Sequence, residues 1–244
     1  MFMRKFLVAF LIILTPLILS TSSARALDPG GKCSPVGMSS ANGRYKCLKN
    51  SNGVGVWIDQ TSPSGPTSRG GSYQLGQIGP GGGNVFYISK GGFPCGPTLQ
   101  NGCHYLEAAP TIGKYAWRDV AVAWSGNTTQ TSGATDGSIG MGFKNTLKML
   151  KMKHAGTRGA GSIARAYRGG NKTDWYLPAI DELYELYSNT SAVGGPMKDD
   201  YYWASSVSGT PGFADCIDFS SYHGPYSCPT NLTDRVHVRP IRAF

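Results

Sequence analysis

Apolar residues recur at helical spacing in a segment that runs from about Lys144 to Lys153. Phe143, Leu147 and Leu150 share one face of this segment, and lysines stand between them. The spacing predicts an amphipathic helix.

A second helix is predicted at about Ala179–Ser188. Pro178 precedes it, where the missing N–H leaves no helical hydrogen bond unmade. Asp181 and Glu185 share a face at i,i+4 spacing, with Glu182 alongside, and we expect an exposed acidic face rather than a catalytic pair. The apolar stripe of this helix consists of Ile180, Leu183, Leu186 and Tyr187.

Four short segments have the composition of β-strands. They are Val85–Ser89, Tyr201–Ala204, Cys216–Phe219 and Arg235–Val238. Glycine and tyrosine are abundant and only 15% of the residues are charged. This composition favours many short strands and long loops over layers of helices.

The first residues have the order of a secretory signal peptide. Arg4 and Lys5 precede an apolar run from Phe6 to Leu19, and Ser20–Ser23 then lead to Ala24-Arg25-Ala26. We expect cleavage after Ala26, which gives a signal peptide over 1–26 and a secreted or cell-surface protein. An uncleaved membrane anchor is the alternative, but a spanning helix needs about 20 apolar residues, and this run is shorter and contains Pro16.

The charge of the chain favours acidic partners. The formal net charge is +9, and removal of the three basic residues of the leader leaves +6. Outside the cell the acidic partners of such a cation are anionic polysaccharides, wall polymers and lipid headgroups. Nucleic acid is not expected, because the basic residues are scattered and the expected location is extracellular. Simple solubility is the alternative explanation for the charge.

Six cysteines in an exported chain indicate three disulfides. Proximity in sequence favours Cys33–Cys47, Cys95–Cys103 and Cys216–Cys228. A zinc site is not expected, because the chain contains no C-x-x-C pair.

The expected mature chain divides into two parts. Residues 27–58 contain the first cysteine pair and the turn dipeptides Asn42-Gly43 and Asn52-Gly53, which predicts a small β module of two or three strands stapled by a disulfide. Residues 59–72 are rich in Pro, Gly and Ser and form the expected linker. Residues 73–244 then form one domain of ordinary size.

The larger domain contains a series of ordered motifs. They are G-P-G-G-G-N-V-F-Y-I (Gly79–Ile88), L-E-A-A-P (Leu106–Pro110), W-S-G (Trp124–Gly126), I-G-M-G-F-K-N-T (Ile139–Thr146), D-W-Y-L-P-A-I-D-E-L-Y-E-L-Y (Asp174–Tyr187), Y-Y-W-A-S-S (Tyr201–Ser206) and V-R-P-I-R-A-F (Val238–Phe244). The series resembles the C-terminal domain of a bacterial collagen-like adhesin and the large family of bacterial domains around it, the Lcl C-terminal-domain-like family. The resemblance covers about Tyr73–Phe244.

The resemblance implies an α+β, C-type-lectin-like fold with two helices and a mostly antiparallel sheet. It also implies carbohydrate binding as a hypothesis, because the adhesin is associated with sulfated polysaccharides. Calcium-dependent lectins of this fold hold calcium and sugar with the strings E-P-N or Q-P-D and W-N-D, none of which occurs in this chain. We therefore expect no metal, no cofactor and no calcium-mediated binding.

The conspicuous side chains of these motifs are expected to serve the framework. Trp175-Tyr176-Leu177-Pro178 is expected to pack in the core at the helix entrance rather than to form a platform for a sugar. Arg239 and Arg242 are expected to pair with a carboxylate such as Asp174 or Asp181 rather than with a ligand.

Binding residues are expected in the loops, since loops on a rigid scaffold carry function more often than framework residues do. The loops concerned are Asn127–Ser138 and Gly209–Tyr226. The candidate ligand-binding residues, which are aromatic or basic and lie near these loops, are Trp117, Trp124, Phe213, Tyr222, His223 and Tyr226.

The predicted function is that of a secreted, non-enzymatic binding protein that recognises an extracellular glycan without calcium, and the charge favours an anionic one. A structural or protein-interaction module of the cell envelope is the alternative. An oxidoreductase is a third alternative, because formylglycine-generating oxidases have a related fold and use paired cysteines in a region similar to that of Cys216 and Cys228. The spacing of these two cysteines is wide, however, and the surrounding motif is absent. No catalytic residue is assigned.

Overall fold

The computed structural model describes residues 33–37, 39, 45–49, 55–59, 72–126, 132–152, 158–193, 200–207, 210–220 and 227–244. The expected leader over 1–26 and nearly all of the expected linker over 59–72 lie outside the described residues. Among the described residues, no helix has the length and apolarity needed to cross a membrane.

The described strands form three sheets. In the predicted small module, β1 (Tyr45–Lys49) and β2 (Gly55–Asp59) pair as an antiparallel hairpin. A second sheet contains β3 (Asn84–Cys95), β4 (Asn101–Ala108) and a late strand, β10 (Ile241–Ala243), in the order β10-β4-β3.

The third and largest sheet consists of five strands. They are β5 (Val120–Val122), β6 (Tyr201–Trp203), β7 (Phe213–Asp218), β8 (Ser227–Asn231) and β9 (Val236–Val238), in the order β5-β9-β6-β7-β8. Only the pairing of β6 with β9 is parallel among the described strands. The coarser prediction, an α+β fold with mostly antiparallel strands, is confirmed.

The described residues contain three α-helices, so the prediction of two helices is wrong. The helices are α1 (Gly142–Leu150), α2 (Ala160–Ala166) and α3 (Ile180–Ser188). The first and third lie where the apolar spacing predicts them. The apolar pattern does not predict α2, because the buried residues of this helix are Ala160, Gly161 and Ala164, which form no stripe of large apolar side chains.

Two hydrophobic clusters form the core. The first packs α3 between the two larger sheets, with Phe86, Leu106, Leu183, Tyr202 and Ile217 among its members. The second packs α1 and α2 against the five-stranded sheet, and its members include Trp124, Met149, Ala164, Trp203 and Val238. Each large apolar side chain that is fully buried stabilises the fold by roughly 1.5–3 kcal/mol.

The segment Trp175-Tyr176-Leu177-Pro178 lies in the core, as predicted. Trp175, Tyr176 and Leu177 are all buried. The backbones of Tyr176 and Ile241 exchange two hydrogen bonds of 2.9 Å. The segment therefore attaches the start of α3 to β10.

The two arginines of V-R-P-I-R both pair with carboxylates, as predicted for a structural role. Arg242 Nε lies 2.6 Å from Oδ1 of Asp174, one of the predicted partners, and its Nη1 lies 2.9 Å from Oε1 of Glu107. Arg239 pairs instead with Asp119, with 2.6 Å between Nε and Oδ1. Both Arg239 and Asp119 are buried.

The predicted exposed acidic face of α3 is wrong at Glu182, whose exposed fraction is 0%. Its carboxylate accepts hydrogen bonds from the backbone N–H groups of Gly140 (2.9 Å) and Ala179 (2.8 Å) and from the Tyr176 hydroxyl (3.0 Å). These donors offset part of the cost of burying the charge. Burial is the larger effect and raises the pKa of Glu182 to about 7.

The predicted disulfides Cys33–Cys47 and Cys95–Cys103 are confirmed. Cys216 is also disulfide-bonded, and the register of β7 and β8 places it opposite Cys228. The side chain of Cys228 lies outside the described part of the chain. The first of these disulfides joins Cys47 of β1 to Cys33.

The buried carboxyl of Glu182 predicts a stability that falls as the pH rises. Its ordinary pKa is 4.5 and its folded pKa is about 7, so its contribution to stability is fully present below pH 4.5 and is lost as the pH rises through about 7. The melting temperature should fall between about pH 5 and about pH 8, and it should fall less in Glu182→Gln. The measurement is calorimetry across this range.

Glu185→Gln is the matched control, because Glu185 is on the same helix but is partly exposed. This variant should keep most of the pH dependence of the wild type. Melting temperatures that fall equally with pH in the wild type and in Glu182→Gln would contradict the assignment of this pH dependence to Glu182.

Candidate functional site

The structure describes three of the six candidate binding residues. Trp117 and Phe213 are partly exposed, whereas Tyr222, His223 and Tyr226 lie outside the described residues. The strands β9 and β6 separate β5, which follows Trp117, from β7, which begins at Phe213. The fold therefore does not bring these two aromatic residues to one place.

Trp124 is a core residue, and its prediction as a binding residue is wrong. Its exposed fraction is 1%, and its indole N–H donates to the carbonyl of Ala204 at 2.7 Å. It packs in the cluster beneath the five-stranded sheet. A ligand cannot reach this ring in the folded protein.

Trp117 lies in a loop between β4 and β5 that is attached to the framework at two points. Its backbone N–H donates to the carbonyl of Pro110 at 2.7 Å. Its indole N–H donates to the carbonyl of Val238 at 2.8 Å. The ring is thus held at the edge of the five-stranded sheet while part of it remains exposed.

Tyr167, which follows α2, connects this loop (residues 111–118, the first segment) to a second segment, residues 167–170. Its ring makes an edge contact with Trp117, with 5.4 Å between centroids, and another with Trp175 at 4.8 Å. Its hydroxyl donates to the carbonyl of Tyr115 at 2.5 Å. Burial raises the pKa of Tyr167 above its ordinary value, so the hydroxyl keeps the proton that it donates.

A glycine turn over residues 79–83 lies beneath both segments. Gly82 has a φ of +77°, and a Cβ added there would lie 2.5 Å from Cδ2 of Tyr115. A Cβ added at Gly170 would lie 2.6 Å from the backbone carbon of Gly81. The turn therefore packs against the ring of the first segment and the backbone of the second.

The carboxylate of Glu107 fixes this turn. It accepts hydrogen bonds from the backbone N–H groups of Gly81 (2.9 Å) and Gly83 (3.0 Å), and it pairs with Arg242. Burial raises the pKa of Glu107 to about 7, against the opposing effect of Arg242 and of the two N–H groups. The fully buried carboxylate thus ties the turn to β4 and β10.

Cations stand on both segments around the aromatic rings. Lys114 and Arg118 are exposed on the first segment and Arg168 on the second, and Lys114 Nζ lies 5.3 Å from the centroid of the Tyr115 ring. We define the aromatic–basic surface by the following residues. They are Lys114, Tyr115, Trp117, Arg118, Tyr167 and Arg168.

Three acidic groups beside this surface are paired with arginines that lie inside the protein. Glu107 and Asp119 are buried and pair with Arg242 and Arg239, and the partly exposed Asp174 also pairs with Arg242. The exposed cations are therefore not neutralised by these three acids. The surface combines apolar ring area with positive charge.

This arrangement suits a ligand that is both apolar on one face and anionic. Partly exposed rings contact the C–H groups of a sugar ring, and lysine and arginine bind carboxylate, sulfate or phosphate. No group of three or more His, Cys, Asp or Glu side chains with the geometry of a metal site occurs in the described ranges.

Sequence reasoning finds Trp117 but misses Tyr115, Tyr167 and the three cations. A signal was present in K-Y-A-W-R (Lys114–Arg118), in which two basic residues flank two aromatic residues. The second segment carries only Tyr167-Arg168, and its proximity to the first depends on the fold.

A scan of the chain against protein-family models finds no match, and a search of the curated proteins finds none either.

The packing of Tyr115 on the glycine turn predicts a specific steric effect. Gly82→Ala should lower the free energy of unfolding, because the new Cβ must displace the Tyr115 ring in addition to the cost of a positive φ. Gly113→Ala is the matched control, since Gly113 has a φ of +86° and no neighbour within 4 Å of an added Cβ.

We expect Gly82→Ala to destabilise the protein by about 1–3 kcal/mol more than Gly113→Ala does. The measurement is equilibrium unfolding in urea. Equal decreases in the free energy of unfolding in Gly82→Ala and Gly113→Ala would show that only backbone strain matters and that the Tyr115 ring does not pack on the turn.

Proposed function

We propose that the protein is a secreted, non-enzymatic binding protein whose larger domain has a C-type-lectin-like fold and recognises an extracellular, anionic glycan without calcium. The observation that carries the proposal is the aromatic–basic surface. Its rings are partly exposed and its cations are exposed, while the acids beneath it are paired with other arginines.

The charge of the expected mature chain supports an anionic ligand. Its formal net charge is +6 without the expected leader, which attracts polyanions at long range. The surface adds short-range selectivity, because rings that contact sugar C–H groups distinguish a glycan from a simple counter-ion.

The position of the family motifs supports the lectin-like fold. The strings that carry the resemblance form buried framework: Trp175 and Tyr176 at the start of α3, Tyr202 and Trp203 in β6, and Arg239 before β10. The rigid interior thus comes from the motifs, and the aromatic–basic surface comes mainly from segments between them.

Binding is tested with the purified protein and three polymers of different charge. Dextran sulfate carries sulfate, polygalacturonate carries carboxylate, and dextran is neutral. We expect binding to at least one polyanion at low salt and none to dextran. A chelator should leave the affinity unchanged. Salt at about 1 M, where the Debye length is about 3 Å, should weaken the binding.

Charge reversal locates the site on the surface. Lys114→Glu should lower the affinity for the polyanion by about three- to tenfold at low salt, because it places a like charge beside the ligand. Lys90→Glu is the matched control, because it makes the same change in net charge. Lys90 is exposed on β3, seven residues or about 23 Å along the chain from the glycine turn.

Equal losses of affinity in Lys114→Glu and Lys90→Glu would indicate diffuse attraction by net charge. That result would contradict a site at the aromatic–basic surface. Failure of the wild type to bind either polyanion would contradict the proposed function. Capture of one dominant protein partner in that case would favour the envelope-module alternative.

A further inference from the structure

The aromatic–basic surface is assembled from two segments that are distant in the chain. Tyr115 and Tyr167, which join them, are separated by 52 residues. Lys114, Trp117 and Arg118 belong to the first segment, and Arg168 belongs to the second. The ligand-binding geometry therefore depends on how the first segment is held against the second.

Tyr167 is itself held by the core. Its ring contacts the ring of Trp175, which is buried and whose indole N–H donates to the carbonyl of Gly169 at 3.0 Å. A Cβ added at Gly169 would lie 2.5 Å from the Tyr167 hydroxyl oxygen. The hydroxyl is thus confined between Gly169 and the carbonyl of Tyr115.

We infer that Tyr167 is the positioning residue of the aromatic–basic surface, and that its hydroxyl holds the segment 111–118 in the arrangement that binds the anionic ligand. This inference rests on the proposed function for its binding readout. Its structural part concerns the order of 111–118 alone and can be measured without a ligand.

The expected effect follows from preorganisation. A loop that is ordered before binding loses little conformational freedom on binding, whereas a loosened loop must be ordered by the ligand. Removal of the hydroxyl leaves every cation in the chain. The affinity should therefore fall without a change in the number of ionic contacts.

Tyr167→Phe tests the inference, with Tyr176→Phe as the matched control. The Tyr176 hydroxyl donates to Glu182, away from 111–118. With dextran sulfate as the probe, Tyr167→Phe should bind about three- to tenfold more weakly, and Tyr176→Phe should bind like the wild type even where its melting temperature is lower. The dependence of affinity on salt should keep the wild-type slope in both variants, because that slope reports the number of ionic contacts.

Hydrogen exchange gives the readout that needs no ligand. The backbone N–H of Trp117 donates to Pro110 and that of Ala116 donates to Gly113, so both should exchange faster in Tyr167→Phe and at the wild-type rate in Tyr176→Phe. Gly169→Ala is a second variant, since its Cβ displaces the Tyr167 hydroxyl, and it should have the same effects.

Unchanged exchange in 111–118 in both Tyr167→Phe and Gly169→Ala would overturn the inference, whether or not dextran sulfate binds. Faster exchange with unchanged affinity would also overturn it, because the order of 111–118 would then be irrelevant to binding. A wild type that does not bind the polyanion would defeat the proposed function but not the structural part of the inference.

Discussion

Arg242 holds together three segments that are far apart in the chain. Its guanidinium pairs with the carboxylates of Glu107 and Asp174, and Glu107 in turn accepts hydrogen bonds from the glycine turn 79–83. A buried carboxylate is costly unless it is paired and hydrogen-bonded, and here an arginine and two backbone N–H groups compensate it. The place of the turn, and of the Tyr115 ring that packs on it, follows from this buried ion pair.

Two other buried carboxylates of the domain are also compensated by an arginine or by backbone N–H groups. Asp119 pairs with Arg239 across 120 residues of sequence, and Glu182 accepts a hydrogen bond from Gly140 across 42 residues. Each buried carboxylate fixes backbone that has little regular structure of its own. Such contacts join loops more selectively than apolar packing does, because a hydrogen bond requires a particular direction as well as proximity.

Sequence patterns predict the parts of this fold that local rules decide. Apolar spacing locates α1 and α3, and the pairing of Arg242 with Asp174 is among the predicted alternatives. The patterns fail where a side chain's environment comes from remote residues. Glu182 has the sequence context of an exposed helix face, yet in addition to the local N–H of Ala179 its carboxylate accepts hydrogen bonds from Gly140, 42 residues away, and from the Tyr176 hydroxyl.

The candidate site shows the same division. The sequence gives no reason to prefer Trp117 over Trp124 as a binding residue, because both are tryptophans near loops. Only the fold separates the partly exposed ring of Trp117 from the buried ring of Trp124. Tyr167 escapes prediction because its partner, Tyr115, lies 52 residues away. Residue type alone therefore gives a list of candidates, and the tertiary contacts decide which of them lie together at the aromatic–basic surface.

The rings and the cations of the surface differ in how they are held, and this difference assigns them different roles. Trp117 is hydrogen-bonded to Val238 and Tyr167 packs on Trp175, so the positions of the rings follow the rigid interior. Lys114 and Arg118 reach out on long, exposed side chains that adapt to the spacing of charges on a polymer. Under the proposed function, attraction and encounter rate come from the cations, and the shape that a sugar must match comes from rings whose positions are set by the core.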